Sequence, residues 1–116
     1  MKFNYFLIDN ILFLKIQGNL LGYSDEKKIV NIVEYYIKIK VKKCVIDLSE
    51  INHMNSKGLS LIIKILNKLD DAYGSLVVSN PTEQVKRILS ITKLDLIFRV
   101  VQDRTEAIHL IHNESL

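Results

Sequence analysis

The sequence is poorest in the residues that build covalent or catalytic frameworks. Its 116 residues include one cysteine, one proline, four glycines and no tryptophan. A single cysteine excludes an internal disulfide and fits a reducing compartment. Cys44 also lies inside an apolar run, which reads as a small buried hydrophobe rather than a nucleophile. The glycines, at 18, 22, 58 and 74, are scattered one per turn, so there is no glycine-rich phosphate loop. The three histidines share no metal-ligand spacing with acids or the cysteine, and His109 and His112 have no third ligand near them. No metal or cofactor is expected. No apolar run approaches the ~20 residues of a spanning helix, and no basic region with a long apolar stretch opens the chain. Membrane insertion is therefore not expected, and the expected location is cytoplasmic.

What is present is ordinary for a soluble globular chain: 25% charged and 48% hydrophobic residues. The length suits one domain spanning residues 1–116. The net charge of +3 comes partly from Lys38, Lys40, Lys42 and Lys43. That cluster reads as a solvated helix end and strand entry, where cations also suit the helix C-terminal dipole. No aromatic residues or nucleic-acid-binding motif accompany it, so no nucleic-acid partner is expected.

Residues 43–69, KCVIDLSEINHMNSKGLSLIIKILNKL, organise the rest. Cys44-Val45-Ile46 and Leu48 form the compact apolar run of a strand covered on both faces. Residues 49–56 mix turn formers with two apolar anchors. Leu59, Ile62, Ile63, Leu66 and Leu69 then fall on one face of a 3.6-residue period. Ser56, or Asn55 before it, is placed to cap that helix. A hydroxyl thus stands at the positive end of a helix and the carboxyl end of a strand, the edge where open α/β sheets dock ligands and partners.

Around this centre, residues 2–8 and 11–17 read as strands joined by Asp9-Asn10 in a tight hairpin, with Gly18 breaking the second. In that second strand Ile11, Phe13 and Lys15 face one way and Leu12, Leu14 and Ile16 the other. Gly22-Tyr23-Ser24-Asp25 makes a turn, with Ser24 or Asp25 capping a helix that runs to about Ile39. Its inner stripe is Ile29, Ile32, Val33, Tyr36 and Ile37. Gly74 is expected to cap the central helix, 75–79 forms a strand, and Pro81 enters the first turn of the next helix. A last strand spans 97–101, and Asp103 starts a closing helix over 105–112. The order β-β-α-β-α-β-α-β-α predicts a mixed, mainly parallel sheet opened by a hairpin, with helices packed against it.

Val45-Ile46-Asp47-Leu48-Ser49, then Ile51, then Met54-Asn55-Ser56-Lys57-Gly58-Leu59 resembles the signature of STAS-domain anti-sigma-factor antagonists. In that bacterial family a strand ending in Asp-Leu-Ser leads to an Asp-Ser-(Ser/Thr/Ala)-Gly-Leu motif at a helix start. The likeness runs on through Ser75-Leu76-Val77-Val78, Pro81, Val85-Lys86-Arg87-Ile88-Leu89, Thr92-Lys93-Leu94-Asp95, Phe98-Arg99-Val100 and Glu106-Ala107. It implies a non-enzymatic STAS fold that binds an anti-sigma factor with serine kinase activity. It implies also that this kinase phosphorylates Ser56 to end the interaction, and that a phosphatase acting on phosphoserine restores it. Asn55, Lys57, Gly58 and Leu59, with His53 in the preceding turn, become the partner surface.

Three positions depart from the family pattern. Asn55 replaces aspartate, Lys57 replaces a small residue, and Leu21 stands where many members carry an acid. A second reading is therefore a STAS scaffold that is never phosphorylated, an accessory subunit of a larger signalling or transport complex. His53 as a base for Ser56 would need an orienting acid and an oxyanion hole, and nothing in the sequence marks either.

Overall fold

Asp9 and Asn10 both take positive φ, 52° and 64°, as a type I′ turn requires. They join β1 (Lys2–Ile8) to β2 (Ile11–Leu20) in unbroken antiparallel register, from Lys2↔Gln17 to Ile8↔Ile11. The structure, a computed structural model, describes residues 2–20 and 25–113. Along the chain follow α1 (Asp25–Lys38), β3 (Lys43–Met54), α2 (Ser56–Asp71), β4 (Ser75–Ser79), α3 (Glu83–Ile91), β5 (Arg99–Val101) and α4 (Arg104–Asn113). A 3-10 turn, Leu94–Leu96, precedes β5. The element order is the expected one. The expected turn at Gly22-Tyr23-Ser24, the side chain of Asp25 and residues 114–116 lie outside the described residues.

The five strands lie in the order β1-β2-β3-β4-β5, with every pair after the hairpin parallel. Crossovers of one hand that always step in the same direction place their helices on one face. On that face Leu12, Leu14, Ile16, Cys44, Ile46 and Leu48 meet Ile29 and Val33 of α1, Leu61 and Ile65 of α2, and Val85 and Leu89 of α3. On the other, Ile11, Phe13, Val45, Val77 and Val101 meet Ala107 and Ile111 of α4. The expected split of β2 into two faces is therefore the observed one. Removing each such large side chain from water stabilises the fold by about 1.5–3 kcal/mol.

Two boundaries differ from expectation. Gly18 does not end β2; at φ 91° it sits beside a register shift, and a second shift lies between Lys15 and Gln17. Irregularities of this kind bend a strand and re-aim it without stopping its pairing. β3 accordingly continues through the segment expected to be a turn, with Gln17↔Glu50, Gly18↔Ile51, Asn19↔His53 and Leu20↔Met54 paired. Its Ile51 and Met54 are buried while Ser49, Glu50, Asn52 and His53 face solvent. A clamp spans the irregular stretch: Glu50 Oε2 accepts from Lys15 Nζ at 2.7 Å and from Gln17 Nε2 at 2.8 Å. These bonds, that of Lys15 first, hold the Glu50 carboxyl below its ordinary value, and the same bond raises Lys15. The clamp's contribution is lost as acid protonates Glu50, and it is lost again as alkali neutralises Lys15. Because Glu50 is exposed and Lys15 only half-buried, it is small and screened by salt.

Helix ends are adjusted too. α2 buries Gly58, Leu59, Leu61, Ile62, Ile65 and Leu69, whereas Ile63 and Leu66, expected inside, are half-buried. The positive φ at its C-terminus belongs to Tyr73 (61°) rather than to Gly74. Gly74 N–H donates to the Leu69 carbonyl at 2.7 Å and Tyr73 N–H to that of Asp70 at 3.0 Å, the paired bonds of a Schellman motif. Gly74 is needed for closeness instead, since a Cβ there would lie 2.9 Å from Lys42 Cβ. Pro81 precedes the cap of α3, which is Thr82, whose hydroxyl accepts from Val85 N–H at 3.4 Å. β5 is shorter than expected, and Asp103 caps α4 as expected by accepting from Glu106 N–H at 2.8 Å.

Cys44 is fully enclosed, and burial pushes its thiol up from 9.0 to about 12. A folded value above the unfolded one gives stability that is present below pH 9.0 and is lost as pH climbs toward about 12. Folded protein should therefore resist a maleimide at neutral pH and react only as fast as it unfolds. Its denaturation midpoint should fall through that alkaline window.

Candidate functional site

The carboxyl ends of β2 and β3 meet the start of α2, and three hydrogen bonds fix the meeting. Asn55 is extended (φ −115°, ψ −175°), and its side-chain oxygen accepts from Gly58 N–H at 2.9 Å. Its own N–H donates to the Leu20 carbonyl at 3.4 Å, and its carbonyl accepts the first helical bond, from Leu59 N–H at 3.0 Å. Of the two candidate caps, Asn55 is the one used. Gly58 then packs against the end of β2. A Cβ at this position would drive into the Leu20 carbonyl oxygen and come within 2.8 Å of Leu20 Cγ. Only glycine lets the first turn of α2 lie so close to the strand.

Ser56 is consequently the first helical residue, exposed, with a hydroxyl that no bond holds among the described residues. Its carbonyl accepts from the Ser60 hydroxyl at 2.9 Å. Lys57 beside it is exposed, and no acidic residue stands in the first turn of α2. The positive end of the helix is thus uncompensated by its own side chains. His53 is also exposed, on β3 rather than in a turn, while Leu59 is buried beneath the helix. The site residues read from sequence therefore divide. Ser56, Lys57 and His53 present side chains to solvent, Asn55 is partly buried, and Gly58 and Leu59 hold the helix in place.

Two contributors escaped the sequence reading. Gln84, in the first turn of α3, donates from Nε2 to the Met54 carbonyl at 3.2 Å, tying α3 to the same edge. Nothing local to Gln84 signals this contact, which depends on how α3 crosses β3. Ser60 lines a groove of about 670 Å³ between α1 and α2, along with Val30, Ile63 and Asn67. Two ion pairs bridge these helices, Lys64–Glu26 at 3.8 Å and Lys68–Glu34 at 3.0 Å. Leu21, the third departure from the family pattern, lies outside the described residues.

The sheet is opened by a hairpin and otherwise parallel, with a capped helix start bearing a serine at its carboxyl edge. The chain belongs to the STAS domain family, whose profile matches residues 4–107. A curated Thermotoga neapolitana relative, provisionally named an anti-sigma factor antagonist homolog, is 33% identical over 66 residues. That match spans 57% of this chain and 58% of the relative, so only a little over half of the relative is matched. The crystal structure of a provisionally named anti-sigma factor antagonist from Thermotoga maritima superposes with a TM-score of 0.84 at 24% identity, covering 95% of this chain and 94% of that one. Unphosphorylated SpoIIAA, an anti-sigma factor antagonist, gives 0.82 at 16% identity over 99% of this chain and 100% of its own. The phosphorylated form of the Bacillus protein gives 0.75 at 15% over 95% and 99%. At such identities these likenesses establish the fold.

The division of labour at the helix start predicts an order of stabilities by denaturant unfolding. Gly58→Ala should cost about 1–3 kcal/mol, as overpacking does, and Asn55→Ala about 1 kcal/mol, as cap removal does. Ser56→Ala should stay within about 0.5 kcal/mol of wild type, as an exposed surface change does.

Proposed function

We propose that the chain, acting as a single STAS domain over residues 1–116, is an anti-sigma-factor antagonist. In this reading it has no catalytic activity of its own. It docks an anti-sigma factor with serine kinase activity against the edge formed by His53, Asn55, Ser56 and Lys57, with Gly58 and Leu59 fixing that edge. Phosphorylation of Ser56 ends the interaction, and a phosphatase acting on phosphoserine renews it.

The observation that carries this reading is the free, exposed hydroxyl of Ser56 on a helix start that Asn55 already caps. A phosphate there adds nearly two negative charges and three acceptor oxygens. The positive helix end and Lys57 accommodate that charge within the chain, so the fold persists. A partner seated on the same edge meets new bulk and charge, and leaves. The SpoIIAA structures, solved both without and with phosphate, support carrying the switch to this chain.

Lys57 favours the alternative of a scaffold that is never phosphorylated, because a long exposed cation beside the acceptor crowds a kinase's approach. The two readings part at one measurement. Intact-mass analysis of protein from its native cell should show a population heavier by one phosphate, absent from Ser56→Ala. Ser56→Asp should lose binding to the kinase-type anti-sigma factor of the same organism, with its melting temperature unchanged. A single unmodified mass together with undiminished Ser56→Asp binding would leave the scaffold.

A further inference from the structure

We propose that a second copy of this chain pairs with the outer edge of β1, antiparallel and about a two-fold axis at Tyr5, to make one continuous sheet through two molecules. In a type I′ turn over residues 8–11 the first carbonyl bonds the last N–H, so Ile8 and Ile11 form a hydrogen-bonded pair. Bonded and non-bonded pairs alternate along an antiparallel ladder. Lys2, Asn4, Phe6 and Ile8 therefore spend their backbone groups on β2. Phe3, Tyr5 and Leu7 aim theirs at the free edge.

These outward groups are symmetric about Tyr5. Setting a second copy on that residue opposes Tyr5 to its equivalent and Phe3 to the other copy's Leu7. Each opposed pair exchanges both backbone bonds, and every side chain stays on its own face of the sheet. The interface is isologous, as two-fold dimers require.

The side chains suit a second copy. Between Phe3 and Ile8 the strand carries no charge, no proline and no register break, the devices by which edges avoid pairing. It exposes apolar surface on both faces, with Tyr5 43% accessible, Leu7 45% and Ile8 45%. Lys2, the strand's one charge, falls opposite the other copy's Ile8 and next to its Asp9, so opposite charges meet at both ends. On the α1 side, Tyr5 packs edge-on to Tyr36 at 6.2 Å and Tyr36 to Tyr35 at 5.3 Å. The axis brings two such rows together, and cross-strand aromatic pairs stabilise a sheet further.

Light scattering over a dilution series tests this. The mass should rise toward twice 13.4 kDa with concentration. Leu7→Lys, which places a cation on the pairing edge, should stay at 13.4 kDa throughout with an unchanged circular dichroism spectrum. Amide exchange on wild type needs no variant: the Tyr5 and Leu7 amides should slow as concentration rises, while those of Asn4 and Phe6 should not change. A mass of 13.4 kDa at the highest soluble concentration overturns the proposal. So does a dimer whose Tyr5 and Leu7 amides exchange independently of concentration. Neither outcome bears on Ser56, which lies at another border of the sheet.

Discussion

Everything at the carboxyl edge rests on one close approach, the backbone of Gly58 against the carbonyl of Leu20. Because no Cβ intervenes, the first turn of α2 sits on the end of β2 rather than standing off it. The irregularities between β2 and β3 serve the same contact, since the extra residues that β3 carries between Asp47 and Met54 bring Leu20 opposite Met54. Asn55 can then bond Leu20 with its N–H and Gly58 with its side chain. Ser56 is turned outward as a result. A slacker seat would leave the serine among alternative positions, and a partner that reads a fixed edge would find none.

The strand order restricts where such a partner can bind. In doubly wound sheets the order reverses, and the crossovers on either side of the reversal open a crevice at the carboxyl edge. Here the order runs from β1 to β5 without reversing, so no crevice of that origin forms. Among the described residues the carboxyl edge presents the exposed side chains of His53, Ser56 and Lys57. The two faces are occupied, one by α1, α2 and α3 and the other by α4.

The parts of this arrangement that are local were legible in the sequence. Asp9-Asn10 announces its turn, Cys44 to Leu48 its buried strand, and Asp103 its cap, because each signal lies within a few residues. What failed was decided at a distance. Residues 49–54 look like a turn because Ser49, Glu50, Asn52 and His53 are polar, yet pairing with β2 holds them extended. In α2, apolar residues cover more than one stripe, and only the sheet beneath determines that Leu61 and Ile65 go deepest. Asn55 and Ser56 are equally good caps by type, and only the extended backbone at Asn55 separates them. The motif that pointed to the serine was therefore readable, whereas the freedom of its hydroxyl was not.

Because each strand lies beside its immediate predecessor, the sheet can grow in the direction of synthesis. The hairpin offers a template as soon as it leaves the ribosome, and each later strand and helix adds to a surface already present. Each parallel pairing nevertheless closes over an intervening helix, as Ile11↔Lys43 and Lys43↔Ser75 do, so these steps carry the loop-closure cost that slows parallel sheets.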